Sequence, residues 1–207
     1  MTRQSLVAVG QKITASLANW LIGQGNAQGQ SLVLPSGISG TGASITAGGV
    51  VNLSACTSVT INGVFTSAYT NYLILIDVTL ASSGTVFLQA ASGGTVDTSS
   101  NYDLQWVSGV GTTASAAQTL AAASWGVGAV NGTTHLVSVE LFGPDTSSGP
   151  CLGLVKAFGT PDPMTTAAGV RLMGIQRRTT SAFDGLCVNA ASGISGQVSI
   201  FGYNPGV

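Results

Sequence analysis

A hydrolytic serine needs an imidazole beside it, and this sequence holds one histidine, His135. It stands at the start of a predicted strand, with no Gly-x-Ser-x-Gly turn to present a nucleophile. His135 therefore reads as a strand-end surface residue. Paired carboxylates are the other arrangement that cleaves bonds without a cofactor, as in glycoside hydrolysis. The acidic side chains are Asp77, Asp97, Asp103, Glu140, Asp145, Asp162 and Asp184, scattered along the chain. Glu140 alone lies in mid-strand, where it reads as solvent-facing. Asp97 and Asp103 flank an oxygen-rich loop that also contains Asn101; one such loop is a weak calcium signal. Cys56, Cys151 and Cys187 form no Cys-x-x-Cys pair and have no histidine nearby. They read as buried thiols acting as small apolar residues, with a Cys151–Cys187 bridge as the unsupported alternative. "GVGAVN" from Gly126 puts Asn131 where a phosphate-binding glycine loop needs glycine. The sequons at Asn52 and Asn131 carry no meaning without a secretory signal. Tyr69, Tyr72, Tyr102, Trp106 and Trp125 are the candidates for stacking on sugar rings, with core packing the reading for most of them. The expectation is a non-enzymatic protein with no cofactor and no metal.

The composition narrows the partners. Charged residues make up 6% of the 207 residues, against about 25% in an average soluble protein. Six basic residues against seven acidic ones give a net charge of -1, so no basic stripe exists to neutralise phosphates and no nucleic acid is expected. Arg177-Arg178, the one adjacent basic pair, reads as two exposed residues at a strand end. The best apolar run, "LAAASWGVGAV" (Leu120–Val130), is too short for a membrane span. The first residues make a poor signal peptide, so the reading is a chain made in the cytoplasm with its start intact.

The elements that would position these residues are mostly strands. Near the start, Ile13, Leu17, Trp20 and Leu21 fall on one face of a short helix, with Thr14 as N-cap and Gly23 as its end. A helix that short must dock its apolar face on something. No charged residue occurs between Lys12 and Asp77. Within that stretch Leu32, Leu34, Ile38 and Ile45 are apolar residues in a glycine, serine and threonine background. A single chain of that kind is not expected to bury them, so the stretch reads as an extended arm ordered by other chains. From Val50 onward the pattern is of strands. Asn62-Gly63 is a hairpin signal. "NYLILIDVTLAS" (Asn71–Ser82) has the continuous apolar middle of a buried strand. In "NYDLQWVSG", Tyr102, Leu104 and Trp106 share a face. "FDGLCVNA" and "SGQVSIFGY" read as the last two strands, and Ser108–Ser124 as a long loop. Ten or so strands without a long helix predict an all-β fold, an antiparallel jelly-roll-like sandwich over 51–207. Residues 1–50 form the helix-bearing arm.

Three stretches resemble proteins of tailed bacteriophage particles. "FTSAYTNYLILIDVT" (Phe65–Thr79) resembles the F-[TS]-x-x-Y-x-N-Y run that opens the β-sandwich of many of their virion proteins. "FDGLCVNAASGISGQVSIFGYN" (Phe183–Asn204) resembles the hairpin that closes it, and "GQKITASLANWL" (Gly10–Leu21) resembles the opening segment of phage minor tail proteins. The resemblance implies a homotrimeric virion component with an N-terminal anchor, a short shaft and a distal β-sandwich. It would be a tail fibre or tail-tip appendage, or a head fibre or decoration protein on the capsid. Its partners would be copies of itself, tail or major capsid proteins, and a host cell-surface glycan. Ile13, Leu17, Trp20 and Leu21 would then contact the particle, and Leu32, Leu34, Ile38 and Ile45 the sister chains. The loop holding Asp97, Asn101 and Asp103 would face outward. A glycan-binding or glycan-cleaving β domain is the reading from another class.

Overall fold

A computed structural model describes residues 29–110, 113–128, 132–160 and 169–204. Among them every regular element is a strand, and all pairings are antiparallel. The fourteen strands form one hydrogen-bonded sheet rather than two separate ones. The predicted helix, with Ile13, Leu17, Trp20 and Leu21, lies outside the described residues.

The organising element is β14 (Gly185–Tyr203), which carries strands on both edges. One edge is lined by β4 (Val51–Asn62), with β1 (Ser31–Leu32) beyond its end. The short strands β2 (Gly37–Ser39) and β3 (Ala43–Ile45) pair with the far edge of β4. On the other edge of β14, β5 (Asn71–Gly84) and β6 (Phe87–Ser92) lie end to end. From β5 the sheet continues through β11 (Gly132–Phe142), β12 (Cys151–Thr160), β13 (Gly169–Arg177), β8 (Tyr102–Val110) and β9 (Thr113–Ala122). From β6 it continues through β7 (Thr95–Val96) and β10 (Trp125–Gly126).

The sheet bends where its register slips. In β14 the pairing with β4 shifts between Asn189 and Ile194, and again before Gly196. This is a bulge, which bends a strand and raises its twist. Ala55, opposite, has φ 52° and its N–H donates to Ser195 Oγ at 3.0 Å. At Gly196 (φ 139°) a Cβ would lie 2.1 Å from the Asp77 carbonyl oxygen, so this close crossing requires glycine. The bend lets β6 and β10 fold over the far end of β8 and β13. Tyr102 and Trp125 stack edge to face at 4.9 Å, and the Trp125 indole N–H donates to the Gln176 carbonyl at 3.0 Å. The Ala90 N–H donates to the Tyr102 hydroxyl at 2.9 Å, and that hydroxyl donates to the Asp97 carbonyl at 2.9 Å. Burial pushes the Tyr102 phenol up to about 12, so it stays a neutral donor. The core lies inside the fold, built from one alternating set per strand, such as Tyr72, Ile74, Ile76, Val78 and Leu80 of β5. Each fully buried side chain of this size contributes about 1.5–3 kcal/mol.

Several sequence expectations need correction. The two closing runs are one strand, β14, because the bulge absorbs the Ala-Ser-Gly interruption. Most of Ser108–Ser124 is not a loop: β9 pairs along β8 from Thr113 to Ala122. Its mostly small residues, alanine, serine and threonine, suit an edge strand exposed on both faces. Asn62-Gly63 makes a turn (Gly63 φ 62°) but no hairpin. After it the Val64 and Phe65 N–H groups both bond the Asp184 carbonyl. Ile38 and Ile45 are half-buried against the core of their own chain, because β2 and β3 lie along β4. A single chain does, after all, cover part of that arm; Leu32 and Leu34 stay exposed.

Candidate functional site

Sequence reasoning offered carboxylates and one histidine, and the structure occupies them with structural work. His135 is fully buried, since it shares the inner phase of β11 with Val137, Val139 and Leu141. The surface reading fails there because alternation outweighs polarity. Arg177 is also buried rather than exposed. Its Nε and NH2 donate to Asp97 Oδ2 at 3.1 and 2.8 Å, its NH1 donates to the Ser181 carbonyl at 2.7 Å, and it lies over the Phe183 ring at 5.2 Å. Partial burial pushes the Asp97 carboxyl up. Hydrogen bonds from Ser99 and Arg177, with the guanidinium charge, outweigh this and hold it below the ordinary 3.8. The Arg178 hydrogen bond at 2.8 Å likewise holds Asp103 low, and the Ala121 N–H donates to the same carboxylate at 2.9 Å. The Asn101 amide bonds Ser99, and its carbonyl accepts from the Arg178 N–H. Thus Asp97, Asn101 and Asp103 latch the loop onto the end of β13, with a guanidinium on each carboxylate. Glu140 faces outward and pairs with Lys156 at 3.5 Å. Cys56, Cys151 and Cys187 are buried free thiols, and burial pushes that of Cys151 up to about 12.

The two stretches with the phage-like signatures meet in space. The Phe65 ring packs edge-on against Tyr72 at 4.8 Å and Phe183 at 5.4 Å, and Tyr69 meets Tyr72 at 6.1 Å. The Tyr72 hydroxyl donates to the Thr66 carbonyl at 2.8 Å and accepts the Thr66 N–H at 2.7 Å. The Asn204 side chain accepts the Thr70 N–H at 2.9 Å and donates to the Ala68 carbonyl at 3.2 Å. The Tyr69 ring lies so close over Gly202 that a Cβ there would sit 2.2 Å from it. The signature residues form a clasp between the start of β5 and the end of β14. Their chemistry is closure of the fold.

The feature that sequence reasoning missed is the outer face of the strands from β5 to β8. Strand register arranges it in rows. One runs Gln197, Asp77, Leu136, Phe158, Val170. The next runs Ser199, Leu75, Ser138, Lys156, Leu172, Val107. A third runs Leu73, Glu140, Leu154, Gly174, Gln105, Gln118. Leu136 (49%), Phe158 (42%), Val170 (55%) and Leu172 (45%) are about half exposed, although all four are large and apolar. Between them lies an open groove of about 660 Å³, which Asp77 and Lys156 also line. Beside it, a groove of about 420 Å³ is lined by Asp103, Gln105, Gln118 and Gln176 together with Leu120 and Leu152. The signal was present in "NYLILIDVT" and "CLGLVKAF", which are apolar on both phases. One phase fills the core. No helix among the described residues covers the other.

No family model matches the chain, and no curated protein matches it. Among solved structures it is similar to the CBM2 module of the evolved Dit of Lactobacillus casei BL23 phage J-1. The two are 12% identical over 84% of this chain and 96% of that one, with a TM-score of 0.27, which does not establish a shared topology.

Proposed function

We propose that this chain is a non-enzymatic structural protein of a bacteriophage particle, carried as a homotrimer. Residues 1–50 would attach it to tail or capsid proteins, and the β domain would project as a jelly-roll-like tip. The observation that supports this most is the clasp. The Phe65–Thr79 and Phe183–Asn204 stretches, which separately resemble the opening and closing segments of phage virion domains, form one packed unit through Phe65, Tyr72 and Phe183. The two segments lie over a hundred residues apart in the sequence and are joined by the pairing of β5 with β14. The groove lined by Gln105, Gln118 and Gln176 favours a contact role toward host-surface glycan, since planar amides bond sugar hydroxyls in both directions.

The test is gold-labelled antibody against the β domain on purified particles of the encoding phage. Label on the tail or over the capsid is the expected result, and its position separates appendage from decoration protein. Particles that carry no label, and no peptide of this chain by mass spectrometry, end the proposal. For the glycan role, host-wall polysaccharide should bind the wild type and bind Gln176→Ala at least several-fold more weakly; equal binding removes that role.

A further inference from the structure

We propose that the groove over β13, β8 and β9 takes a neutral glycan chain and rejects an acidic one. This rests on the glycan role proposed above and deepens it by naming the class of sugar.

The polar groups come first. Strand register sets Gln105 of β8 between Gln118 of β9 and Gly174 of β13. Gln176 stands two residues further along β13, opposite Asp103. Residues directly opposite lie about 5 Å apart and diagonal ones about 7–8 Å, so three carboxamides gather at one end of the groove. Among the described residues none of the three has a hydrogen-bond partner; the Trp125 indole bonds the main-chain carbonyl of Gln176, not its side chain. Each carboxamide offers two donors and an acceptor, which suits hydroxyls that also do both.

Charge decides which glycan. Among the described residues Asp103 is the one charged side chain that lines the groove. Both of its oxygens are engaged by donors of its own chain: the Arg178 guanidinium holds Oδ2 at 2.8 Å, and the Ala121 N–H donates to Oδ1 at 2.9 Å. No lysine or arginine lines the groove. A uronate or phosphate entering it would meet a carboxylate and no cation assigned to it, and like charges repel more strongly where water is partly excluded. A hydroxyl meets no such cost.

Shape makes the ligand a chain. A Cβ on Gly174 would meet nothing within 4 Å, so this glycine leaves an open floor. The groove of about 420 Å³ adjoins one of about 280 Å³, and Gly174 and Gln105 line both. From Gln176 to Leu172 the joined trough runs about 13 Å along β13, longer than a single sugar ring.

Biolayer interferometry of the full chain tests this against the neutral and the anionic fractions of host-wall polysaccharide, separated by anion exchange. The neutral fraction should bind, and the anionic one at least about ten-fold more weakly. Binding should change less than about two-fold between about 0.05 and 0.5 M salt, because no ion pair forms. Gly174→Leu should weaken it at least about ten-fold with an unchanged melting curve, since a side chain there fills the trough and meets nothing. Gln105→Leu with Gln118→Leu should weaken it at least about five-fold. An anionic fraction that binds as tightly as the neutral one, or binding that salt removes, overturns the proposal and leaves the glycan role standing. Gly174→Leu that binds like wild type places the glycan elsewhere and equally overturns it. If neither fraction binds, the glycan role falls together with this inference, while the labelling of virions still decides the particle assignment.

Discussion

Phe65 and Phe158 are the same side chain in opposite circumstances. Phe65 is 1% exposed, wedged between Tyr72 and Phe183 where the chain closes, whereas Phe158 is 42% exposed on the outer face of β12. Each sits among apolar neighbours. The clasp satisfies its polar atoms and its rings within one chain, while the outer face has packing on one side only. The difference shows that apolar content in this protein serves two ends. One set of residues holds a single chain folded, and the other contributes little until something covers it.

The sharpest way to break that comparison is to truncate the clasp. Phe65→Ala should cost about 3–5 kcal/mol, because it removes a buried ring and leaves a cavity that two rigid aromatic neighbours cannot close. Urea denaturation followed by tryptophan fluorescence reads it directly. A loss below about 1 kcal/mol would mean that the clasp is as dispensable as the outer face.

How much of this division was legible beforehand follows from what alternation can say. The strand around Ile74 was readable from its continuous apolar middle, and the one around Leu104 from the alternation of Tyr102, Leu104 and Trp106. Joining the two closing runs into β14 was not, since a bulge looks like a turn in sequence. The long Ser108–Ser124 stretch hid a strand because edge strands need no apolar phase. His135 and Arg177 were misplaced for a related reason. Burial of a polar group depends on a partner far along the chain, as Asp97 lies 80 residues from Arg177. The outer face was visible as letters in Leu73, Leu75, Leu152, Leu154 and Phe158. Its exposure was not, because the sequence does not show whether a second layer exists to cover it.

The next effect in size concerns that buried pair. Asp97→Ala leaves the Arg177 guanidinium buried without its carboxylate and should cost about 2–4 kcal/mol. Its pH dependence has a fixed sign. The folded carboxyl titrates below its ordinary value of 3.8, so the stability it contributes is complete above the unfolded value and is lost as pH falls through the folded one. Thermal melts between pH 5 and pH 2 should show wild type losing more stability than Asp97→Ala. Parallel curves would mean that the latch is not a source of acid sensitivity.

A smaller effect lies within the clasp. Tyr72→Phe keeps the ring contacts with Phe65 and Tyr69 but removes the hydroxyl that both donates to and accepts from Thr66. One hydrogen bond of this kind is worth about 1 kcal/mol net, and the Thr66 N–H loses an acceptor as well. A loss of about 1–2 kcal/mol is therefore expected, clearly less than for Phe65→Ala. If the two losses were equal, closure would depend on the hydrogen bonds and not on ring packing.

The smallest effect on one chain is expected on the outer face. Leu172→Asn removes a side chain that is already 45% exposed and creates no closed cavity, so the change in dilute solution should stay within about 0.5 kcal/mol. Concentration separates this from indifference. If copies cover the face, mass action raises the wild-type melting temperature as protein concentration increases, because only the folded chain associates. In that case Leu172→Asn should match wild type at about 1 µM and fall behind it at about 100 µM. A variant that loses 2 kcal/mol when dilute would place Leu172 with the core residues and erase the distinction between the two faces. Identical curves at both concentrations would leave the distinction in exposure but remove its consequence.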